Sequence, residues 1–323
     1  MRYIAKTITL SLLIAMSGCK PETSTQVTIG IIEPLQHKAM DEIVAGFTET
    51  LHQQYSQPVI IRVENAQNDA NLKRAIIEKM HDAQYTLIVP IGVDATQMTL
   101  AMVHDQPVVS LASDTSDKDR QKLNPCNVAV VQDEISSKQL LAVVHAAYPQ
   151  LTRLTLIHSS ANKVFPEVQA TMAAGKEYGI IINTKMVSSL PELQSATQAI
   201  PADTQGIFIL KDHLIVSGIA TLAKVAADHH IPLITSDEGS VQEGAGFAIG
   251  VREREIGVEG AKLAAAVLTG KPICQLPIAT MKNLSVFINK NALLRESQNV
   301  DKIVAAAKQF NYKTEMVSVG SDG

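Results

Sequence analysis

Short apolar runs rich in β-branched residues alternate with longer segments of helical period along most of the chain. Residues 27–32 form one such run, and a helical segment follows at about 38–54. The apolar residues on one face of that segment are Met40, Ile43, Val44, Phe47 and Leu51. An unbroken apolar run is typical of a parallel strand buried on both faces, and a spacing of three and four residues indicates a helix. The pattern therefore predicts an α/β fold.

The same order of elements occurs twice. Strands are predicted at 27–32, 58–63, 86–91 and 107–111 in the first half, and at 153–157, 180–187, 206–210 and 231–235 in the second. Asp105-Gln106-Pro107 corresponds to His230-Ile231-Pro232, 125 residues further on. Two such units predict two parallel sheets with helices on both faces. The alternative is that the two halves share the alternation of strands and helices without a common origin, and in that case the predicted architecture is the same.

The last quarter of the chain suggests how the two units are joined. Strands at 246–251, 277–279 and 284–288 surround a helix at 255–268, which has a natural place beside the first unit. We therefore expect domain 1 at 27–129 plus 252–276, and domain 2 at 130–251 plus 277–323. The fold class is two doubly wound (Rossmann-like) parallel-sheet domains joined by a hinge of three crossovers. Ligands bind off the carboxyl ends of such strands, so the hinge predicts an interdomain cleft.

The N-terminus has the pattern of a secretory signal. Arg2 and Lys6 precede an apolar run at 8–16 that is too short to span a bilayer, and small residues lead into Cys19. We expect a signal peptide at 1–18, acylation of Cys19 and a lipidated tether at 19–26. The alternative is an N-terminal anchor helix with an incidental cysteine. The first interpretation places the protein outside the cytoplasm, lipid-anchored to a cell-envelope membrane at its periplasmic or extracellular face.

Charge and motifs narrow the function. The chain has 28 Lys and Arg against 32 Asp and Glu among its 323 residues, and it contains no Trp. This mild acidity argues against a nucleic-acid partner, which requires a basic face. The sequence lacks the G-x-S-x-G, H-E-x-x-H, G-x-G-x-x-G and G-x-x-x-x-G-K-[ST] motifs. Because these motifs are missing, we expect no enzyme activity and no cofactor. His229 and His230 end a predicted helix, where the helix dipole favours histidine, so we also expect no metal site.

The sequence of several passages resembles that of the ABC-transporter substrate-binding lipoproteins of the type I periplasmic-binding-protein fold, in the branch that includes tryptophan- and tyrosine-type binding proteins. The matching passages are VTIGIIEP (27–34), HKAMD (37–41), ENAQND (64–69), TLIVPI (86–91), QPVV (106–109), IPLITSDEGSV (231–241), residues 257–270 and GKP (270–272). The resemblance implies this fold, a lipid anchor, and a monomer that delivers a small-molecule ligand to an ABC permease in the membrane.

One departure from the branch concerns the turn before the first crossover. Members of the branch usually have a glycine-rich turn there, whereas this chain has Asn124-Pro125-Cys126-Asn127. Cys274 follows the late helix just before another crossover, so both cysteines would lie on the domain 1 side of the hinge. An exported compartment permits disulfides. We therefore expect a Cys126–Cys274 bridge, with two separate buried thiols as the alternative.

The loops after the predicted strands supply the candidate ligand contacts. They are Glu33, His37, Asp94, Thr96, Ser113, Asp114, Ser160, Asn162, Asp212, Ser236 and Asp237. This mixture of hydroxyl, amide and carboxylate groups suits a small polar ligand such as an amino acid. Asp212 or Asp237 would receive its ammonium, and Thr96 and Ser160 would receive its carboxylate.

Each of these residues also has a simpler interpretation. Asp94, Asp212 and Asp237 can serve only as helix N-caps, and His37 can be a solvated loop residue. The sequence therefore predicts a solute-binding lipoprotein of an ABC importer that closes on its ligand. Its main alternative is an envelope lipoprotein with a structural or regulatory role, which uses the same fold to contact another protein. An exported hydrolase is a third possibility, which the missing motifs disfavour.

Overall fold

The structure is a computed structural model that describes residues 26–161 and 164–317. The predicted signal peptide, Cys19 and Asn162 lie outside the described residues. The strands are β1 (Val27–Glu33), β2 (Val59–Asn65), β3 (Leu87–Pro90), β4 (Val108–Ser110), β5 (Val128–Gln132), β6 (Arg153–Ser159), β7 (Ile181–Val187), β8 (Ile207–Ile209), β9 (Leu233–Thr235), β10 (Phe247–Gly250), β11 (Ala279–Thr280), β12 (Ser285–Ile288) and β13 (Lys313–Met316).

Helices connect these strands. They are α1 (Lys38–Gln54), α2 (Ala70–Asp82), α3 (Val93–Met102), α4 (Asp117–Lys122), α5 (Ser137–Ala147), α6 (Val164–Glu177), α7 (Leu190–Thr197), α8 (His213–Val216), α9 (Ile219–His229), α10 (Glu238–Gln242), α11 (Glu253–Leu268), α12 (Lys290–Arg295) and α13 (Val300–Gln309). No helix in the described ranges is both long enough and apolar enough to cross a bilayer.

Within the described chain the strands form two sheets. The first has the order β11-β5-β4-β3-β1-β2, and the second has the order β13-β12-β10-β9-β8-β6-β7. The pairs are parallel except β10 with β12, which are antiparallel. The central strands are buried along their length, which is why they read as continuous apolar runs. The predicted fold class of two parallel-sheet α/β domains is confirmed.

The chain passes between the two sheets three times: from β5 to α5, from β10 to α11, and from β11 to β12. The expected domain bounds need correction at two of these places. β5 continues to Gln132 in the first sheet, and Ala279 pairs with Val131 of β5 rather than joining the second sheet. Three buried residues of β5 pair in register with β4, and this pairing carries the strand past the expected boundary at 129.

Helix α11 packs against α1 over the first sheet, as its apolar face requires. The segment after α11 is held to the same unit by a disulfide and by two hydrogen bonds. Cys274 forms a disulfide with Cys126, with the Cα atoms 6.1 Å apart, and the buried Arg120 donates hydrogen bonds to the carbonyl oxygens of Ile273 and Leu276. Both cysteines thus lie beside the first sheet, near β5 and β11.

Candidate functional site

The carboxyl ends of the two sheets face each other, and their loops are in contact. His37, the N-cap of α1, has its Nε2 atom 3.7 Å from a carboxylate oxygen of Glu243, just after α10 of the other unit. A Cβ atom placed on Gly239 in α10 would lie 2.5 Å from the backbone nitrogen of Ala39. The units therefore touch closely at this point, and a glycine makes the approach sterically feasible.

Two predicted residues of the first unit are buried at and after the end of β1, and one of them, His37, contacts the other unit. His37 is 4% exposed; its Nδ1 accepts a hydrogen bond from the Ala39 amide, while Nε2 has no hydrogen-bond partner among the described residues. Glu33 ends β1, is buried, and accepts a hydrogen bond from Asn65. Burial raises the pKa of Glu33, which the Asn65 bond opposes and the charge of Asp41 reinforces. His37 is therefore not the solvated loop residue that its simpler interpretation suggested.

The other predicted residues of the first unit are arranged differently. The Thr96 hydroxyl lies 2.8 Å from the Gly92 carbonyl oxygen and 2.8 Å from the Ser110 hydroxyl, so it stabilises its own turn and is poorly placed to bind a carboxylate. Ser113 is buried and its hydroxyl bonds that of Thr115. Asp114 is exposed. Asp94 lies in the first turn of α3 and does not cap it, since the N-cap is Gly92.

In the second unit, both predicted aspartates are helix N-caps. Asp212 accepts hydrogen bonds from the amides of Ser159 and Leu214, and Asp237 accepts from the amide and the hydroxyl of Ser240. Their simpler interpretation therefore describes the contacts they make. Ser236 is 4% exposed and its hydroxyl finds no partner in the described part of the chain, whereas Ser160 is exposed.

Three charged residues at the hinge side of the interface were not predicted. Lys211 follows β8 of the second unit; its ammonium hydrogen-bonds Asp133, which follows β5, and lies 3.8 Å from Oε1 of Glu253 at the start of α11. Burial alone would lower the pKa of Lys211, but the two carboxylates outweigh it and raise that pKa. These ion pairs join the two units next to two of the three chain passages.

An apolar contact and a groove lie on the other side of the interface. Leu35, from the loop after β1, is buried in the hydrophobic cluster of the second unit. A groove of about 570 Å³ opens beside it and is lined by both units. Its lining residues are Leu35, Gln36, Asn65, Gln67, Asn68, Leu190, Leu214 and Ser217. The interface thus runs from a charged hinge end to an edge of mixed leucine and amide character.

Metal binding finds no support in this arrangement. Within residues 26–161 and 164–317, no group of three or more His, Cys, Asp or Glu side chains is arranged to hold a metal ion. His229 ends α9 and His230 follows it with a positive φ of 55°, where its ring lies 3.2 Å from the Ser297 hydroxyl.

The chain is similar to several known proteins. It is 38% identical over 286 residues, 87% of this chain and 90% of the relative, to an uncharacterized protein, RP367, of Rickettsia prowazekii. It is 26% identical to the tyrosine-binding protein of Clostridioides difficile, over 85% of this chain and 82% of that one. Among solved structures, the ABC domain from Streptococcus pneumoniae in complex with L-Trp matches with a TM-score of 0.80 and 21% identity, over 87% of this chain and 98% of that one.

A family model covers almost the whole described chain. The model describes ABC transporter substrate-binding proteins and matches residues 28–310. Members of this family bind small solutes outside the cytoplasm and deliver them to ABC permeases, and they are not enzymes as a class. With two α/β units whose strand ends meet across an interface, the geometry agrees with that family. This chain belongs to the ABC transporter substrate-binding protein family.

Proposed function

We propose that this chain is the lipid-anchored substrate-binding protein of an ABC importer, and that it captures an amino acid between its two units by hinge closure. The observation that carries the proposal is the burial of polar loop residues from both sheets against each other. His37 and Ser236 come from opposite units, both are buried, and each has a polar atom without a hydrogen-bond partner among the described residues. Buried polar atoms are normally hydrogen-bonded, so such atoms mark a place for a polar ligand.

The position of the interface also supports ligand capture. Ligands of open α/β sheets bind beyond the carboxyl ends of the strands, where His37 and Ser236 lie. The groove of about 570 Å³ beside Leu35 is lined by both units and leaves the interface open along this edge. Of the predicted contacts, we retain His37 and Ser236 as principal ligand contacts because each is buried and keeps an atom without a hydrogen-bond partner among the described residues. We also retain Glu33, a carboxyl group buried where β1 ends.

An amino acid is the ligand class we favour. The retained residues combine a carboxyl group, an imidazole and a hydroxyl, so they can both donate and accept hydrogen bonds. Two relatives, one named as a tyrosine-binding protein and one solved with L-Trp, make aromatic amino acids the first ligands to test.

A thermal-shift screen with the twenty L-amino acids, common sugars and nucleosides tests the proposal. A ligand that binds only the folded protein stabilises it by about 2.7 kcal/mol at a hundredfold excess over Kd. We expect a shift with at least one L-amino acid and a much smaller shift with its D-enantiomer. If no compound in the screen stabilises the protein while an envelope protein co-purifies with it, the importer proposal fails and the structural role is favoured.

The lipid anchor is proposed on the sequence pattern at Cys19. Expression with a labelled fatty acid, followed by mass spectrometry of the N-terminal peptide, tests it. We expect label on Cys19 and release of the protein from membranes in the Cys19→Ala variant. Label that persists in this variant, or an intact residue 1 in the mature protein, would contradict acylation at this position.

A further inference from the structure

The hinge end of the interface contains more negative than positive side chains. Asp133, Asp237 and Glu253 surround Lys211, whose electrostatic partners are these three carboxylates. Lys211 forms an ion pair with Asp133 and lies 3.8 Å from Glu253. Asp237 uses its carboxylate to cap α10. In this cluster, a single ammonium therefore faces three carboxyl groups. The three carboxyl groups are largely shielded from solvent, and Lys211 is more exposed than they are.

Glu253 is the member of this cluster whose surroundings are least complete. It is 2% exposed, and its Oε2 atom has no hydrogen-bond partner in the described chain. The charged groups that act on it are Lys211, Asp237, Glu238 and Asp133. A buried carboxyl group without a hydrogen bond costs free energy, so a native protein that keeps one usually has a use for it.

A second buried polar atom lies close by. Ser236, which precedes Asp237, has its backbone oxygen against Gly250, three residues before Glu253. The Ser236 hydroxyl is also buried and lacks a partner among the described residues. The loops after β9 and β10, whose backbones touch at Ser236 and Gly250, thus each contain a buried side chain with hydrogen-bonding capacity left over.

We propose that Glu253, supported by Asp133, accepts the positively charged group of the ligand, so that binding requires a cation such as a primary ammonium. This inference rests on the proposed function and adds to it the charge of the ligand and the residue that selects it. An incoming cation offsets the excess of carboxyl groups and supplies the missing donor to Oε2. A ligand with only negative charge at this end would be repelled by Asp133 and Asp237.

The protonation of Glu253 gives the inference a measurable signature. Burial raises its pKa to about 8; the ammonium of Lys211 opposes this rise, and the carboxylates of Asp237, Glu238 and Asp133 add to it. Glu253 is therefore mostly protonated at pH 7. A cation beside it favours the ionised form and lowers its pKa, so cation binding at pH 7 should release up to about one proton.

The experiment is isothermal titration calorimetry of the full chain at pH 7 in two buffers of different ionisation enthalpy. The probes are L-tyrosine and L-tryptophan, together with 3-(4-hydroxyphenyl)propionate and indole-3-propionate, which lack the amine. We expect an amino acid to bind with proton release and its amine-free analogue to bind at least a hundredfold more weakly. In Glu253→Gln, the affinity for the amino acid should fall at least tenfold and the proton release should disappear.

The matched control is Glu255→Gln, the same substitution at an exposed position of the same helix. It should keep both the affinity and the proton release. The inference is overturned if the amine-free analogue binds as tightly as the amino acid, or if Glu253→Gln keeps the wild-type affinity and proton release. The analogue comparison uses the wild-type chain, so it tests the cation requirement even if Glu253→Gln does not fold, and the wild-type proton release tests the buried carboxyl group.

Failure of this inference can be told apart from failure of the proposed function. If neither probe binds, the ligand found in the thermal-shift screen takes their place in the same titration. A neutral sugar or nucleoside that binds wild type and Glu253→Gln equally would leave the importer function standing and overturn the cation requirement. If no compound in the screen binds at all, the proposed function fails and this inference fails with it.

Discussion

Helix α1 makes two close contacts with other helices, one within its own unit and one with the other unit. Against α11, Gly257 packs onto the backbone of α1 at Ile43 and Phe47, and the surrounding residues belong to the apolar core of the first unit. Against α10, Gly239 packs onto Ala39 and the ring of His37, and the imidazole of His37 there faces the carboxylate of Glu243. The same device, a glycine that allows close approach, thus serves a permanent core contact and an interface of the more polar kind that is typical of domains that move.

This difference separates substitutions that should affect folding from those that should affect ligand capture. Contacts inside one unit contribute to the free energy of unfolding whether or not the units are together. Contacts between the units stabilise one relative arrangement, so their loss should appear mainly in ligand affinity. The predictions below test this division, in order of their expected effect on stability.

The largest effect is expected from the Cys126–Cys274 disulfide, which lies within the first unit and joins residues 148 apart in sequence. The Cys126→Ala/Cys274→Ala double variant should lose about 2–5 kcal/mol of unfolding free energy, because the bridge restricts the unfolded chain. Urea denaturation with and without a reducing agent measures this. Reduction should destabilise wild type to the same extent and leave the double variant unchanged. Recovery of both cysteines as alkylated thiols in non-reducing peptide mapping would contradict the bridge.

Gly257→Ala should be the next most damaging. Its added Cβ atom would collide with the backbone of α1 at the Ile43 carbonyl, and backbone atoms cannot move aside as a side chain can. Overpacking of this kind costs about 1–3 kcal/mol, which exceeds the gain of about 1 kcal/mol from replacing a helical glycine. Gly260→Ala is the matched control on α11, because its Cβ atom would meet only the end of the Leu111 side chain. Equal melting temperatures for both variants would show that the contact is not tight.

Glycine contacts of this kind mark the limit of what the sequence predicts. The central strands and long helices were predicted because their apolar periodicity is local: 27–32 corresponds to β1 and 255–268 to α11. The helix predicted to end at His229 and His230 is preceded by a break at Ser217 and Gly218, which separates α8 from α9. A Cβ atom on this glycine would collide with Leu193 of α7. That packing is set by a segment far away in the chain, which local periodicity does not register.

The interface was predicted in outline but not in its charges. Strand ends identify which loops face the cleft, and His37, Ser236 and Asp237 lie in such loops and are buried. Lys211 also lies in a loop after a strand, but nothing in its local sequence reveals that Asp133 and Glu253 are its partners. Those partners come from two different chain passages, and only the relative position of the two units brings them together.

A pH-dependent effect should distinguish the core of the second unit from the interface. Glu296 is buried beside Gly246, and burial raises its pKa to about 8, although the backbone of Leu233 and the charge of Arg295 oppose this rise. The folded state therefore holds a proton that the unfolded state releases near pH 4.5. Stability should fall as the pH rises from about 4.5 through 8, by at most about 1.4 kcal/mol per pH unit for this group.

Glu296→Gln should remove this part of the slope, which urea denaturation between pH 5.5 and 8.5 measures. Glu253 also has a pKa raised to about 8, so its share of the slope should remain in that variant. Since Glu296 lies inside one unit, the variant should leave ligand affinity and its proton release unchanged. A slope that is the same in Glu296→Gln and in wild type would show that Glu296 is ionised in the folded protein.

Gly239→Ala should have the smallest effect on folding and a large effect on capture. The added Cβ atom would lie 2.5 Å from the Ala39 nitrogen and 2.7 Å from Cε1 of His37, both of the other unit, so it opposes the approach of the units and not the fold of either. We expect an unfolding free energy within about 0.5 kcal/mol of wild type, as for substitutions that disturb no core contact. Ligand affinity should fall at least tenfold, because an added cost of about 1.4 kcal/mol for bringing the two units together raises Kd tenfold. Isothermal titration calorimetry measures the affinity, and urea denaturation measures the unfolding free energy.

The control is Gly244→Ala, just beyond α10, whose Cβ atom would contact only Ala223 of the same unit. The backbone φ of 124° at this glycine means that the substitution should lower stability, without a matching loss of affinity. A Gly239→Ala protein that binds like wild type would mean that α1 and α10 do not approach each other this closely when the ligand is held.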